Sequence, residues 1–368
     1  MAKNNKVSQY LEDLNSEDVA TRSYALEDLG DFITQTDSTD PVTNKEIINK
    51  LVSCLGDPDP NVIDITIRVL KNCPPKQATS SLLPYLNNSD IKIRTAVLDI
   101  LQGFGSGKEI LSQILPYTRH VIDDVRIFAL DILTMNADES CFDSIKLCLT
   151  DPNPNVVLRA YECLGTINNQ EAKEILKATL ENPDTERDIL GISLIALGKT
   201  EDTAYLDAIL NFPDENIGLL GFKMKALGFG RSKDVVHYLT KQLENKQTPS
   251  FIKASALWAI SNIATRDPEV LLAAIDKNYD LSDFFQTTSA SIMTNAITLV
   301  GVLKPSGYLD LLNPFFKHQD PKVRMAALLA IGHDSQPKAT SMKLLLEYDS
   351  NSEVAEMARC FRKGGNAA

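Results

Sequence analysis

The chain has 368 residues, a formal net charge of −12 and a sequence pI near 4.9. That balance argues against DNA or RNA as the main ligand, because affinity for a phosphate backbone comes from Lys and Arg displacing counterions. Hydrophobic residues make up 43% of the chain, enough for a continuous core. The six cysteines form no C-x-x-C pair, which speaks for free thiols in a reducing compartment and against a disulfide framework.

In chain order, the first predicted helical pattern runs from Asp18 to Leu29, with Gly30 behind it. The same twelve-residue pattern returns at Asp90 to Leu101, at Asn153 to Leu164 with Gly165 behind, and at Asp320 to Ile331 with Gly332 behind. A small residue four before the final aliphatic serves as a register mark. The marks are Ala25, Thr66, Val97, Ala129, Ala160, Ser193, Lys223, Ala256, Ala296, Ala327 and Ala358. They recur every 30 to 33 residues, except for two steps of 41 and 40. A helical pattern with a period near ~31 residues predicts stacked helical hairpins. The expectation is an all-α chain, a right-handed α-solenoid of about eleven hairpins, forming one array over residues 1–368.

Each unit is read as an outer and an inner helix. In the unit around Asp151, Ile145, Leu147 and Leu149 pattern an outer helix over Ser140 to Thr150. Asp-Pro-Asn-Pro-Asn then breaks the chain, since Pro tolerates only the first turn of a helix. The inner helix follows, with Val156, Ala160, Cys163 and Leu164 on one face and Gly165 as a predicted C-terminal stop. Seven before the mark, Asp18, Asp59, Asp90, Asn153, Asn216, Asp320 and Asn351 occupy the predicted N-cap of the inner helix. Three before it stand Arg22, Arg94, Arg126, Arg324 and Lys253. Their recurrence predicts a structural ladder, each cation pairing with a cap or turn acid of a neighbouring unit.

The two longer steps carry insertions. One is the polar stretch from Thr34 to Asn44 and the other runs from Asp276 to Phe285, with aromatic Tyr279, Phe284 and Phe285. Insertions in repeat arrays become loops, often on the binding side.

The pattern Asp-Pro-x-Val-Arg-x-x-Ala-Ala at Asp320 onward, closing with Ala330, Ile331 and Gly332, resembles the HEAT repeat. More narrowly it is similar to the short HEAT-like repeats of phycobilisome-lyase type. The resemblance runs from about Gln9 to about Lys363 and weakens in the units of Ser193, Lys223 and Ala296. It implies the solenoid fold and leaves function open, because such repeats serve scaffolds, adaptors, chromophore lyases, a hydroxylase and DNA glycosylases.

Motifs of chemistry are few. Gly103 to Glu109 has the glycines of a phosphate loop, but Glu109 replaces its Ser or Thr and no strand precedes it, so a turn between helices is expected. His120, His237, His318 and His333 lack the repeated His-Glu pairs of HEAT-like metal hydroxylases. No metal and no cofactor are expected.

Two residues past each mark, a side chain on the inner helix should face solvent. In chain order these are Glu27, Arg68, Asp99, Asp131, Glu162, Ile195, Lys225, Trp258, Thr298, Leu329 and Cys360. Glu27, Asp99, Asp131 and Glu162 make the N-terminal part acidic. Ile195, Trp258 and Leu329 make the C-terminal part largely apolar, and Trp258 is the only tryptophan. These seven are the candidate partner-binding residues, on a concave inner-helix face.

The expected function is a non-catalytic scaffold or adaptor, one version being a regulator of a signalling protein. Its partner would be a protein segment with basic residues and an apolar anchor. The alternative, implied by the narrower resemblance, is a bilin lyase or tetrapyrrole chaperone. Met1 to Tyr10 lacks the apolar core of a signal peptide, and no run approaches the ~18 apolar residues of a membrane span. A cytoplasmic monomer without membrane insertion is therefore expected.

Overall fold

The computed structural model describes residues 2–35, 41–104, 108–167 and 169–362. Every regular element among them is helical, with no β-strand. The architecture is an α-solenoid of helical pairs in tandem. The phosphate-loop-like stretch and the Thr34–Asn44 insertion fall partly on residues 105–107 and 36–40, outside the described residues. Within that insertion, Pro41 already opens the helix Pro41–Ser53.

Among the described residues, eleven inner helices carry the repeat. Val19–Gln35, Pro60–Lys71, Ile91–Gly103, Asp123–Asn136 and Pro154–Leu164 belong to one compact unit, Met1–Asn169. Arg187–Lys199, Ile217–Leu227, Ser250–Arg266, Ala290–Leu303, Pro321–Ile331 and Ser352–Arg362 belong to a second, Gln170–Ala368. Each helix holds one register mark, and none of the eleven marks is more than 2% exposed. In the second unit each inner helix packs on the next. In the first, Pro60–Lys71 packs on both Val19–Gln35 and Ile91–Gly103, and Asp123–Asn136 packs on Pro154–Leu164. No pair can bury its apolar stripe alone, so each depends on its neighbours for a core.

All seven predicted caps are made. Asp59, Asp90, Asn153 and Asp320 each accept the backbone N–H two residues on, at 2.8–2.9 Å. Asp18, Asn216 and Asn351 accept the one three residues on. Each satisfies an orphan donor of its helix.

The predicted ladder forms at three of its five cations, and its acid is the turn residue nine before the mark, not the cap. Arg94 instead donates to the Asn88 and Ser89 carbonyls of its own turn, with His120 at the next turn position, and Lys253 faces Thr287 there. Arg22 pairs with Asp57, Arg126 with Asp151 and Arg324 with Asp349, each through two guanidinium nitrogens. The third nitrogen donates to two carbonyls of its own turn, as Arg126 Nη1 does to His120 and Val121. These pairs are close to 10% exposed or less. The turn acid in turn accepts the N–H of the cap residue, Asp57 from Asp59, Asp151 from Asn153 and Asp349 from Asn351. One rung thus ties two repeats and a turn together.

One sequence expectation is corrected, and one, the glycine that ends the inner helix, is borne out at Gly165 by a different geometry. The outer helix predicted over Ser140 to Thr150 is divided, a 3-10 turn Glu139–Cys141 leading into the helix Phe142–Cys148. Elsewhere the outer helix ends in a 3-10 segment at a proline, as in Leu83–Asn87 and Leu115–Arg119, because Pro84 and Pro116 cannot donate to the α-helical ladder. The glycine after the inner helix does not act as a left-handed stop. Gly165, Gly228 and Gly332 all keep right-handed α geometry. Its use is close approach: a Cβ on Gly198 would lie 2.5 Å from the carbonyl oxygen of Ala226 on the next inner helix, and one on Gly228 would lie 2.9 Å from Ala259 Cα.

The insertion from Asp276 tucks against its own unit. Leu281 is buried, Ser282–Phe285 forms a 3-10 turn, and the Phe285 ring packs on Phe315 with centroids 4.9 Å apart.

Candidate protein-binding face

The residues two past each mark reach solvent to differing degrees, and none of the eleven is buried. The helical repeat explains this. A residue 200° round the helix from a buried mark faces away from the neighbouring helices.

In the first unit the four predicted acids do not stand as free charge. Glu27 pairs with Arg68 at 2.6 Å, Asp99 with Lys71 at 2.9 Å and Asp131 with Arg159 at 3.0 Å. Glu162 takes a second nitrogen of Arg159 at 2.8 Å. Three cations thus answer four carboxylates, and the face is far less acidic than a list of its acids suggests. Burial pushes the Asp131 carboxyl above the ordinary range, Arg159 opposes the rise and Glu162 adds to it. Lys71 and Arg159 lie at other helical positions than the predicted row, and their pairing across adjacent inner helices has no signature within one repeat.

In the second unit the apolar members are present as expected. Ile195 and Trp258 are half-buried, and Leu329 is 48% exposed. Trp258 lies edge-on to Phe229, with ring centroids 6.0 Å apart. One turn on, Asn262 donates to the Gly228 carbonyl at 2.9 Å. A further turn on, Arg266 donates to the Phe229 carbonyl and sits 6.0 Å from the Phe229 ring. Glu201, held at a left-handed φ of 54°, pairs with both Arg266 and Arg231. This junction of Phe229, Arg231, Arg266 and Glu201 beside Trp258 was not foreseen. Its available signal is the length of Ser250–Arg266, whose 17 residues carry the Trp258, Asn262, Arg266 stripe two turns past the tryptophan.

Among the described residues, no group of three or more His, Cys, Asp or Glu side chains is placed to hold a metal. No described helix is long and apolar enough to cross a membrane. All six cysteines are free thiols.

A helical-repeat solenoid with an unburied inner-helix row is the class that fold and face define. Residues 111–198 match the family model described as HEAT repeats, which bears out the HEAT resemblance; the narrower likeness to phycobilisome lyases is not shown. Among solved structures, importin beta aligns over 97% of this chain and 57% of its own length, with 15% identity and a TM-score of 0.52. That likeness shows a shared fold, and this chain spans little more than half of importin beta. An engineered protein aligns over 97% of this chain and 98% of its own at 16% identity, with a TM-score of 0.32, and adds nothing to the fold assignment. No curated protein matches the sequence.

Proposed function

We propose that the chain is a non-catalytic scaffold that works as one array over residues 1–368 and binds a protein partner along the exposed row of its inner helices. The observation that carries this reading is the contrast within each inner helix. Eleven marks are buried while the residues two positions on stay accessible, and the sole tryptophan occupies one of those accessible places. A half-buried tryptophan fixed by Phe229 loses little freedom on binding and offers a large apolar area, the properties of an interface anchor.

The partner supplies an apolar side chain to the stretch of Ile195, Trp258 and Leu329. Its basic residues meet Glu27, Asp99, Asp131 and Glu162. Because those acids are already paired with Arg68, Lys71 and Arg159, their contribution is mainly to encounter and orientation, with affinity resting on the apolar end. The net charge of −12 supports a protein over a nucleic acid. The proposal includes a cytoplasmic monomer.

Site-specific photo-crosslinking tests this. A photoreactive residue at Ile195 or Leu329 should capture a discrete partner in cells, and one at Lys241 on an outer helix should not. Trp258→Ala should remove the capture while leaving thermal unfolding close to unchanged. Equal capture from both faces, or capture that survives Trp258→Ala in a folded protein, would overturn the reading.

A further inference from the structure

The ladder of buried pairs lacks its acid at two of the predicted cations, Arg94 and Lys253, and a cleft opens at the second. At the ladder position of Ser250–Arg266 stands Lys253. The turn position of the following unit, nine before Ala296, is Thr287. Thr287 sits as the turn acids do, because its Oγ1 accepts the N–H of Ser289 two residues on, at 3.1 Å. Asp151 and Asp349 make the same contact at 2.9 and 2.8 Å. The cation is therefore kept while its carboxylate is missing. Lys253 is half-buried, and its side chain makes no hydrogen bond or ion pair within the described residues.

Lys253 and Thr287 both line a cleft of about 520 Å³, a volume suited to a small organic group. The 276–287 insertion forms one side with Tyr279 and Phe284, and Leu243 and Ile292 add apolar surface. The Tyr279 phenol is pushed up to about 12 by burial, then by Glu244 and Asp280, so it stays a donor at neutral pH. Glu244, Asp280, Asp283 and Lys246 are the other charged residues of the lining, and all four are exposed. The Asp280 carboxylate is already engaged by the Ser282 N–H.

We propose that this cleft is a binding site for a single carboxylate carried beside an apolar group, the carboxylate completing the rung between Lys253 and Thr287. The protein itself supplies the template, since Asp57, Asp151 and Asp349 present a carboxylate to the equivalent cation in three other repeats. The apolar part of the ligand packs on Tyr279, Phe284 and Ile292. The three rim carboxylates repel multiply charged anions, which selects against phosphate and polyanions. A protein segment offers this chemistry in two forms, a chain terminus or an Asp or Glu side chain next to an apolar residue. The site stands apart from the Trp258 row, and its fate does not depend on that row.

Methyl NMR of the full chain tests it. N-acetyl-phenylalanine presents a terminal carboxylate, and N-acetyl-aspartyl-phenylalanine amide presents a side-chain carboxylate. At least one should shift the Ile292 and Leu243 methyl signals saturably, and the tighter of the two identifies the source. N-acetyl-phenylalanine amide should bind about tenfold more weakly or worse, lacking the charged acceptor. Inorganic phosphate should leave these signals in place. Lys253→Gln should abolish the shifts. Thr287→Asp should abolish them too while raising the thermal midpoint, because it fills the rung from within; that gain shows the variant is folded. No saturable shift with either acid, equal binding of the neutral amide, stronger shifts from phosphate, or unchanged binding by either variant would overturn the proposal.

Discussion

Arg126 holds Asp151 across two successive repeats, Nε and Nη2 each donating to one carboxylate oxygen at 2.8 Å. The pair is only about a tenth exposed. Removing one partner strands the other charge in a nearly dry place, which costs more than the pair itself is worth. Arg126→Ala is therefore expected to lower stability by on the order of 3 kcal/mol. Urea unfolding of the variant, beside the double variant Arg126→Ala with Asp151→Ala, checks this. The double variant should recover part of the loss.

Acid should unpick the same device. The Arg324 hydrogen bonds hold Asp349 below the usual carboxylate range, and Lys173 does the same for Asp202. A carboxyl whose folded pKa lies below its unfolded one binds its proton less readily in the fold. Its contribution is complete above the unfolded value and fades as pH falls through the folded one. Stability should be flat from neutral down to about pH 5 and decline below it. Asp349→Asn, already neutral, should show a shallower decline in denaturation midpoints across that span. An equal slope in variant and parent would show that the rung does not contribute.

The caps act locally. Asp320 accepts the Lys322 N–H at 2.8 Å, and Asp320→Ala should cost about 1 kcal/mol. Asp320→Asn should cost much less, since its amide oxygen can still accept. Thermal unfolding of the two variants separates capping from charge.

Close helix approach makes Gly198 intolerant of even a methyl group. Gly198→Ala would bring a carbon within 2.5 Å of the Ala226 carbonyl oxygen. The backbone must give way, at about 1–3 kcal/mol for overpacking, despite alanine's better helix propensity. A variant as stable as the parent would show that the two helices can move apart freely.

Burial pushes the Cys73 thiol up to about 12 and the Cys148 thiol up to about 11, and drives that of Cys163 well above its ordinary value. With little thiolate and little access, these three should resist iodoacetamide in the native state at mildly alkaline pH. Cys360 is only half-buried and should label first. Peptide mass spectrometry after timed labelling reads the order directly.

The repeat was legible in the sequence because its signals are local. A cap acid, a proline in the first turn and an aliphatic stripe each act within one helix. The register set by Ala25, Ala160 or Ala327 therefore carried into burial without adjustment, and even Lys223 obeyed it. That lysine is 1% exposed, its ammonium donating to Asp214 and to the Leu210 and Phe212 carbonyls. It takes the place of the missing ladder cation, since Leu190 stands where Arg would be. The compensation joins residues whose relation appears only once the turn is folded.

The candidate face was legible to the same extent. Exposure of Glu27, Trp258 and Leu329 follows from helical phase, which is a property of one helix. Whether Glu27 or Asp131 offers free charge depends on Arg68 and Arg159, which belong to neighbouring helices. The sequence by itself determined an all-helical repeat, its register, its caps and its accessible row, because 3.6-residue periodicity and first-turn chemistry act over a few residues. Only the tertiary structure decided which acids are neutralised, that the glycines serve close approach, that the aromatic insertion folds back and that the Lys253 rung stands open. Each of those depends on distances between side chains of different helices, and such distances are set by packing.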